Sequence, residues 1–169
     1  WSVTSVSSQK FLFGPEFTFT GPDGKVTGML KSSVIERMRF HLVERQADGA
    51  KFTVDGNSKA QFSSPNGWWF SVGEDPGVLE VTTTPLSVEG FHRYQADMQD
   101  AIFVSAANEG VFPWDYLGGG HINIGVSEFG GRALLLRNFI VDYINHNELS
   151  MGALGYDTNN ALPISMMNP

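Results

Sequence analysis

A chain of 169 residues with 41% hydrophobic and 12% aromatic side chains has enough length and apolar content for a buried core, which argues against intrinsic disorder. Its formal charge of -7 argues against a broad nucleic-acid or anionic-membrane surface, because such partners require a Lys/Arg excess, and it leaves a small molecule or a protein as the default partner. The absence of cysteine rules out disulfides, thiolate metal sites and cysteine nucleophiles.

Residues 10–20 alternate, with Phe11, Phe13, Phe17 and Phe19 on one parity and Glu16, Thr18 and Thr20 on the other, the period of a half-buried strand. Gly21-Pro22-Asp23-Gly24 ends it as a turn. Ser33-Val34-Ile35-Glu36 matches a capping box, and Val34, Ile35, Met38 and Leu42 predict a first helix through about residue 47. Between 50 and 84, segments rich in Phe, Trp, Val and Thr are broken by Asp55-Gly56-Asn57, Pro65-Asn66-Gly67 and Asp75-Pro76-Gly77, which suggests three antiparallel strands. Phe91, Tyr94, Met98 and Ile102 predict a second helix over 87–107, capped by Ser87 and closed by Gly110. Gly118-Gly119-Gly120 opens a strand from His121 to Ser127, and Gly130-Gly131 leads into a helix carrying Leu135, Leu136, Phe139, Ile140, Tyr143 and Ile144.

This order predicts a single α+β domain over 1–169, a largely antiparallel sheet with helices packed on one face. The apolar parity of each strand then tells which side chains point to the other face. Glu16 and Thr18, Glu80 and Thr82, and His121 and Asn123 all point there. If their strands are neighbours, two carboxylates, an imidazole and an amide share one surface with no Lys or Arg among them. Any one of these reads as ordinary polar surface. As a set they suit a hard divalent cation, Mg²⁺ or Mn²⁺, which would relieve the repulsion between like charges. Gly119 and Gly120, without side chains, would let a phosphate or substrate backbone approach the sheet.

The segments carrying these residues resemble, in order, the core motifs of the glutamine-synthetase-like carboxylate–amine ligase superfamily, especially its amidoligase and gamma-glutamylcysteine-synthetase branches. Phe13-Gly14-Pro15-Glu16-Phe17 is similar to the first-strand motif with metal-binding glutamates. Trp68-Trp69-Phe70-Ser71-Val72, then Asp75, then Val78-Leu79-Glu80-Val81-Thr82-Thr83-Thr84-Pro85-Leu86 resembles the amidoligase pattern of Trp, Asp, a Glu-bearing strand and a Pro-Leu lead-in to a helix. Gly119-Gly120-His121-Ile122-Asn123-Ile124-Gly125 is similar to the strand bearing a metal- or phosphate-binding histidine. Thr18 and Asn123 stand where the family often has a second glutamate and a second histidine.

The resemblance implies an ATP- and Mg²⁺-dependent ligase that joins a small-molecule or peptide carboxylate to an amine through an acyl-phosphate. It implies metal ligation by Glu16, Glu80 and His121, which carry the catalysis, and cofactor binding by His121, Asn123, Gly119 and Gly120. Two alternatives stand beside it: a non-catalytic ligand-binding relative of the fold, and a metal-dependent amide hydrolase. Asp75, Trp68 and Trp69 read as turn or packing residues first, His41, His92 and His146 as helix-surface residues, and Arg132 and Arg137 as cations near in sequence only.

No apolar run reaches the roughly 20 residues of a membrane span, and Trp1-Ser2-Val3 lacks signal-peptide character. The expectation is a cytoplasmic protein that binds neither membrane nor nucleic acid. A start without methionine and a patternless end at Asn168-Pro169 suggest a piece of a larger ligase-like chain, with a homo-oligomer or the remainder of that chain as a partner.

Overall fold

A computed structural model describes residues 12–44, 49–54, 59–75, 77–113, 121–125 and 129–145. Six strands form one sheet: β1 (Phe13–Phe19), β2 (Lys51–Val54), β3 (Ala60–Ser63), β4 (Trp69–Asp75), β5 (Val78–Thr83) and β6 (His121–Ile124). Their order is β2-β3-β4-β5-β1-β6, and every pairing is antiparallel. From β1, an interior strand and the first described element, the chain crosses through α1 (Gly28–Arg39) to the far edge and returns by a meander of four strands. It then crosses again through α2 (Val88–Met98) to close beside β1. Residues 50–84 thus hold four strands rather than three, one for each segment left by the three turns. At the β3–β4 turn Gly67 has φ +90, a left-handed backbone that glycine adopts without the clash of a Cβ.

The parity of the phenylalanines places one sheet face under the helices. Phe19, Ala60, Phe62, Phe70, Val72, Leu79 and Val81 are buried with Val34, Met38 and Leu42 of the first helical segment and with Met98, Ala101, Ile102 and Ala106 of the second. Aromatic rings couple the layers: Phe13 stacks on Phe91 with centroids 5.4 Å apart, and Phe17 meets Phe103 edge-on at 4.8 Å. Each fully buried large side chain of this core, such as Phe62 or Leu79, contributes roughly 1.5–3 kcal/mol through removal of apolar surface from water. The helical layer is thereby fixed against β1, the strand that carries Glu16.

α1 begins earlier than the capping box implies. Its cap is Thr27, whose hydroxyl accepts the Leu30 N–H at 3.2 Å, and a π-helical segment, Phe40–Glu44, continues it. The Ser33 hydroxyl instead donates to the Glu109 carboxylate, which also accepts from Arg37 Nε at 2.8 Å. These two donors hold the Glu109 carboxyl below the usual glutamate range, the Ser33 hydrogen bond being the larger cause. Glu109 follows α3 (Ser105–Asn108), so this contact ties the two helical segments together. α2 starts as expected at Ser87, which accepts from the Gly90 N–H, and runs through a π-helical segment, Gln99–Val104, into α3.

The last two described elements are less buried than the core strands and helices. Ile122 is half exposed and Ile124 only half-buried, because β6 is the edge strand and lies past the packed helical layer. The expected continuation of this strand to Ser127 lies outside the described residues. α4 (Ala133–Asn145) forms, with Phe139 against Phe129 at 5.4 Å, but Leu134, Leu135, Leu136, Ile140 and Val141 are exposed. No described helix is long and apolar enough to cross a membrane.

Candidate functional site

β1 lies between β5 and β6, so the three strands that carry the candidate residues are neighbours. Glu16 is opposite Thr82 on one side and opposite His121 on the other. Asn123 is opposite Gly14, one diagonal step from Glu16. The Glu16 carboxylate takes both partners from β6: Asn123 Nδ2 donates to Oε1 at 2.7 Å, and His121 Nδ1 lies 3.2 Å from Oε2. Glu16 is 18% exposed and His121 54%, so the carboxylate is sheltered while the imidazole meets solvent. A Cβ at Gly14 would stand 3.5 Å from the Thr83 carbonyl oxygen and 3.9 Å from Pro85.

Glu80 is opposite Thr18 on β1 and opposite Gly73 on β4, which puts it on the same face as Glu16 and one diagonal step away. Such diagonal positions are about 7–8 Å apart. Thr82, between them, donates from its hydroxyl to Glu80 Oε1 at 3.2 Å. Glu16 and His121 thus come together as a pair, and Glu80 shares their surface through Thr82. No group of three or more His, Asp or Glu close enough to hold one metal ion occurs among the described residues. The donor types, two carboxylates, an imidazole, an amide and hydroxyls, are nevertheless those a hard divalent cation takes.

The expectation of a face without Lys is corrected. Lys59, just before β3, lays its stem over Gly73, with three methylene carbons 3.7–3.8 Å from where a Cβ would stand. The absent side chain at residue 73 thereby gives a cation a seat next to the position that faces Glu80. The face is also less wet than simple alternation suggests: Thr18 is 8% exposed and Ser71 6%.

The registers align one transverse row across the whole sheet: Thr53, Gln61, Ser71, Thr82, Glu16 and His121. One cavity opens on this row and a second lies mainly between the sheet and α1. The first, of about 240 Å³, is lined by Thr53, Lys59, Gln61, Trp69 and Ser71. The other, of about 740 Å³, runs from Glu80, Gly73 and Lys59 to Lys31 and Ser32 of α1 and to Phe52 and Val54 of β2. In it Lys31 Nζ pairs with Glu74 at 3.6 Å.

Of the remaining candidates, the adjacent tryptophans divide between the two faces. Trp68 is buried against Phe70, and Trp69 is half-buried in the smaller cavity. Asp75 belongs to β4 rather than to a turn. His92 is exposed on α2 and His41 half-buried, and Arg132 and Arg137 are exposed. Gly119, Gly120 and His146 lie outside the described residues. Lys59 and Gln61 went unselected by sequence reasoning, although the inward parity of Ala60 and Phe62 already placed them on the polar face. No family model matches the sequence, and no curated protein matches it either.

Proposed function

We propose that the chain is the catalytic core, or part of it, of an ATP- and Mg²⁺-dependent carboxylate–amine ligase working through an acyl-phosphate. The observation that supports this reading is the β5-β1-β6 arrangement, in which Glu16 faces His121 while Glu80 stands diagonally across Thr82 on one surface. Glu16 with His121, and Glu80 apart from them, would each ligate Mg²⁺ alongside the nucleotide phosphates, whose charge the ion would neutralise, and Mn²⁺ would suit the imidazole as well. Phosphoryl transfer depends mainly on positioning and on stabilising developing charge, so the protein needs fixed groups rather than a nucleophile of its own. Asn123 serves this by holding Glu16 Oε1 at 2.7 Å, which fixes the carboxylate orientation. The imidazole of His121, more exposed, is the group free to meet a phosphate oxygen.

The test is nucleotide turnover with Mg²⁺ in the presence of panels of acids and amines. The reading expects ATP hydrolysis that requires an acid, with amide product when an amine is added, and loss of both in Glu16→Gln. A metal-dependent amide hydrolase on the same ligands would cleave an amide without nucleotide. A non-catalytic binder draws on one observation, that both Glu16 oxygens already have protein partners. It would bind its ligand equally well after chelation and in Glu80→Ala.

A further inference from the structure

We infer that Trp69, with Thr53, Gln61 and Ser71 around it, forms a binding site for a neutral sugar ring. The assignment stands apart from the ligase reading and uses none of its residues.

Trp69 is the starting point. The core takes Trp68, fully buried and stacked on Phe70 at 5.5 Å, whereas Trp69 has the opposite parity and lies half-buried on the polar face. Two residues along β4 stands Ser71, which is opposite Gln61, and Gln61 is in turn opposite Thr53. Within the cavity of about 240 Å³ the indole is therefore the one large apolar surface, and it is set among hydroxyls and an amide. A pyranose matches this pattern, with C–H groups on its ring face and hydroxyls around its rim. The ring face packs on the indole and the rim meets the polar side chains.

The polar groups select a neutral ligand. Hydroxyls and a side-chain amide can each donate and accept, as sugar hydroxyls do. Lys59, the remaining lining residue, does not give the site a sign. Its stem lies over Gly73, opposite Glu80, and it shares the neighbouring cavity with Glu36, Glu74 and Glu80, whose carboxylates offset its charge. The spacing selects a ring with polar groups on all sides. Thr53, Gln61 and Ser71 cross three neighbouring strands, about 10 Å from end to end, whereas a planar heterocycle carries its polar atoms at a few edge positions. Volume sets the size: about 240 Å³ lies below the roughly 300–1,000 Å³ of drug-sized sites, so one ring is seated and a nucleotide is not.

The test is a titration of the full chain without metal or nucleotide, by calorimetry and by the indole N–H resonances. The ligands are glucose, galactose, mannose, N-acetylglucosamine and their methyl glycosides. Glycerol, cyclohexanol and adenine are the controls for hydroxyls without a ring, a ring without a polar rim, and a planar heterocycle. At least one neutral sugar is expected to bind saturably with a Kd in the millimolar range, to move the Trp69 resonance, and to exceed all three controls by about tenfold. Glucuronate and glucosamine should bind no tighter than glucose. Trp69→Ala should abolish binding and Trp69→Phe should retain most of it. Gln61→Ala, a change on the exposed face that spares the core, should weaken it about tenfold, and Lys59→Gln should leave it within about threefold. No sugar binding up to about 50 mM, or binding that survives Trp69→Ala or Gln61→Ala, overturns the site. So does a preference of about tenfold for adenine, which would give the pocket to a nucleobase, or for glucuronate, or loss of binding in Lys59→Gln, either of which would make charge its basis. The two readings fail separately: sugar binding without ATP binding removes the ligase and keeps the site, and ATP turnover without sugar binding does the reverse.

Discussion

Glu16 and His121, 105 positions apart in sequence, face each other across the β1–β6 ladder with Nδ1 3.2 Å from Oε2. Because His121 is 54% exposed, this pair adds little to stability, as is usual for solvent-screened contacts. His121→Ala is accordingly expected to change unfolding free energy by less than about 1 kcal/mol while abolishing Mg²⁺-dependent nucleotide binding. Denaturant titration and calorimetry on the same preparation check the two halves. A large loss of stability would make the pair structural.

Thr82 mediates between the two carboxylates, opposite Glu16 and donating to Glu80. Thr82→Val keeps the β-branched shape and removes only the hydroxyl. The expected outcome is an unchanged circular dichroism spectrum with metal-nucleotide affinity lowered by about tenfold, read by calorimetry.

Glu109 contributes to acid stability. Ser33 and Arg37 depress its folded-state pKa, so its contribution is present above the unfolded-state value, about 4.3, and is lost as pH falls through the folded value. Glu109→Gln should lower stability at neutral pH by about 1 kcal/mol and flatten the decline of stability below about pH 4. Urea unfolding midpoints measured from neutral to acid pH check it.

The Thr27 cap separates the observed start of α1 from the one implied by Ser33 and Glu36. Thr27→Ala should cost about 1 kcal/mol by denaturant unfolding, the usual effect of losing an N-cap acceptor. In the core, Phe62, fully buried with its ring 4.7 Å from Phe70, should cost about 3–5 kcal/mol on truncation to alanine.

Much of the fold was legible because burial imposes a period. The alternation of Phe13, Phe17 and Phe19 located β1 and assigned Glu16 to the polar face, and Ser87 marked the start of α2. The start of α1 was hidden because its first turn has no apolar stripe, Met29 being 84% exposed, and because Ser33 and Glu36 imitate a cap whose serine is used against Glu109. Parity gave the face of each candidate but not its neighbours. That β1 sits between β5 and β6 follows from long-range pairing, which local pattern does not encode, and the convergence of Glu16 with His121 and Asn123 depends on it. Lys59 escaped notice for a related reason: its place near Glu80 depends on a glycine in a different strand.

The central claim is that Glu16, Glu80 and His121 act together on a metal-bound nucleotide. Calorimetric titration of ATP into the full chain, with Mg²⁺ and then with chelator, tests it most directly. The account predicts saturable binding that requires Mg²⁺ and disappears in Glu16→Gln, whose circular dichroism spectrum stays that of the parent. Absence of ATP binding, or binding indifferent to both the chelator and the Glu16 substitution, would contradict it.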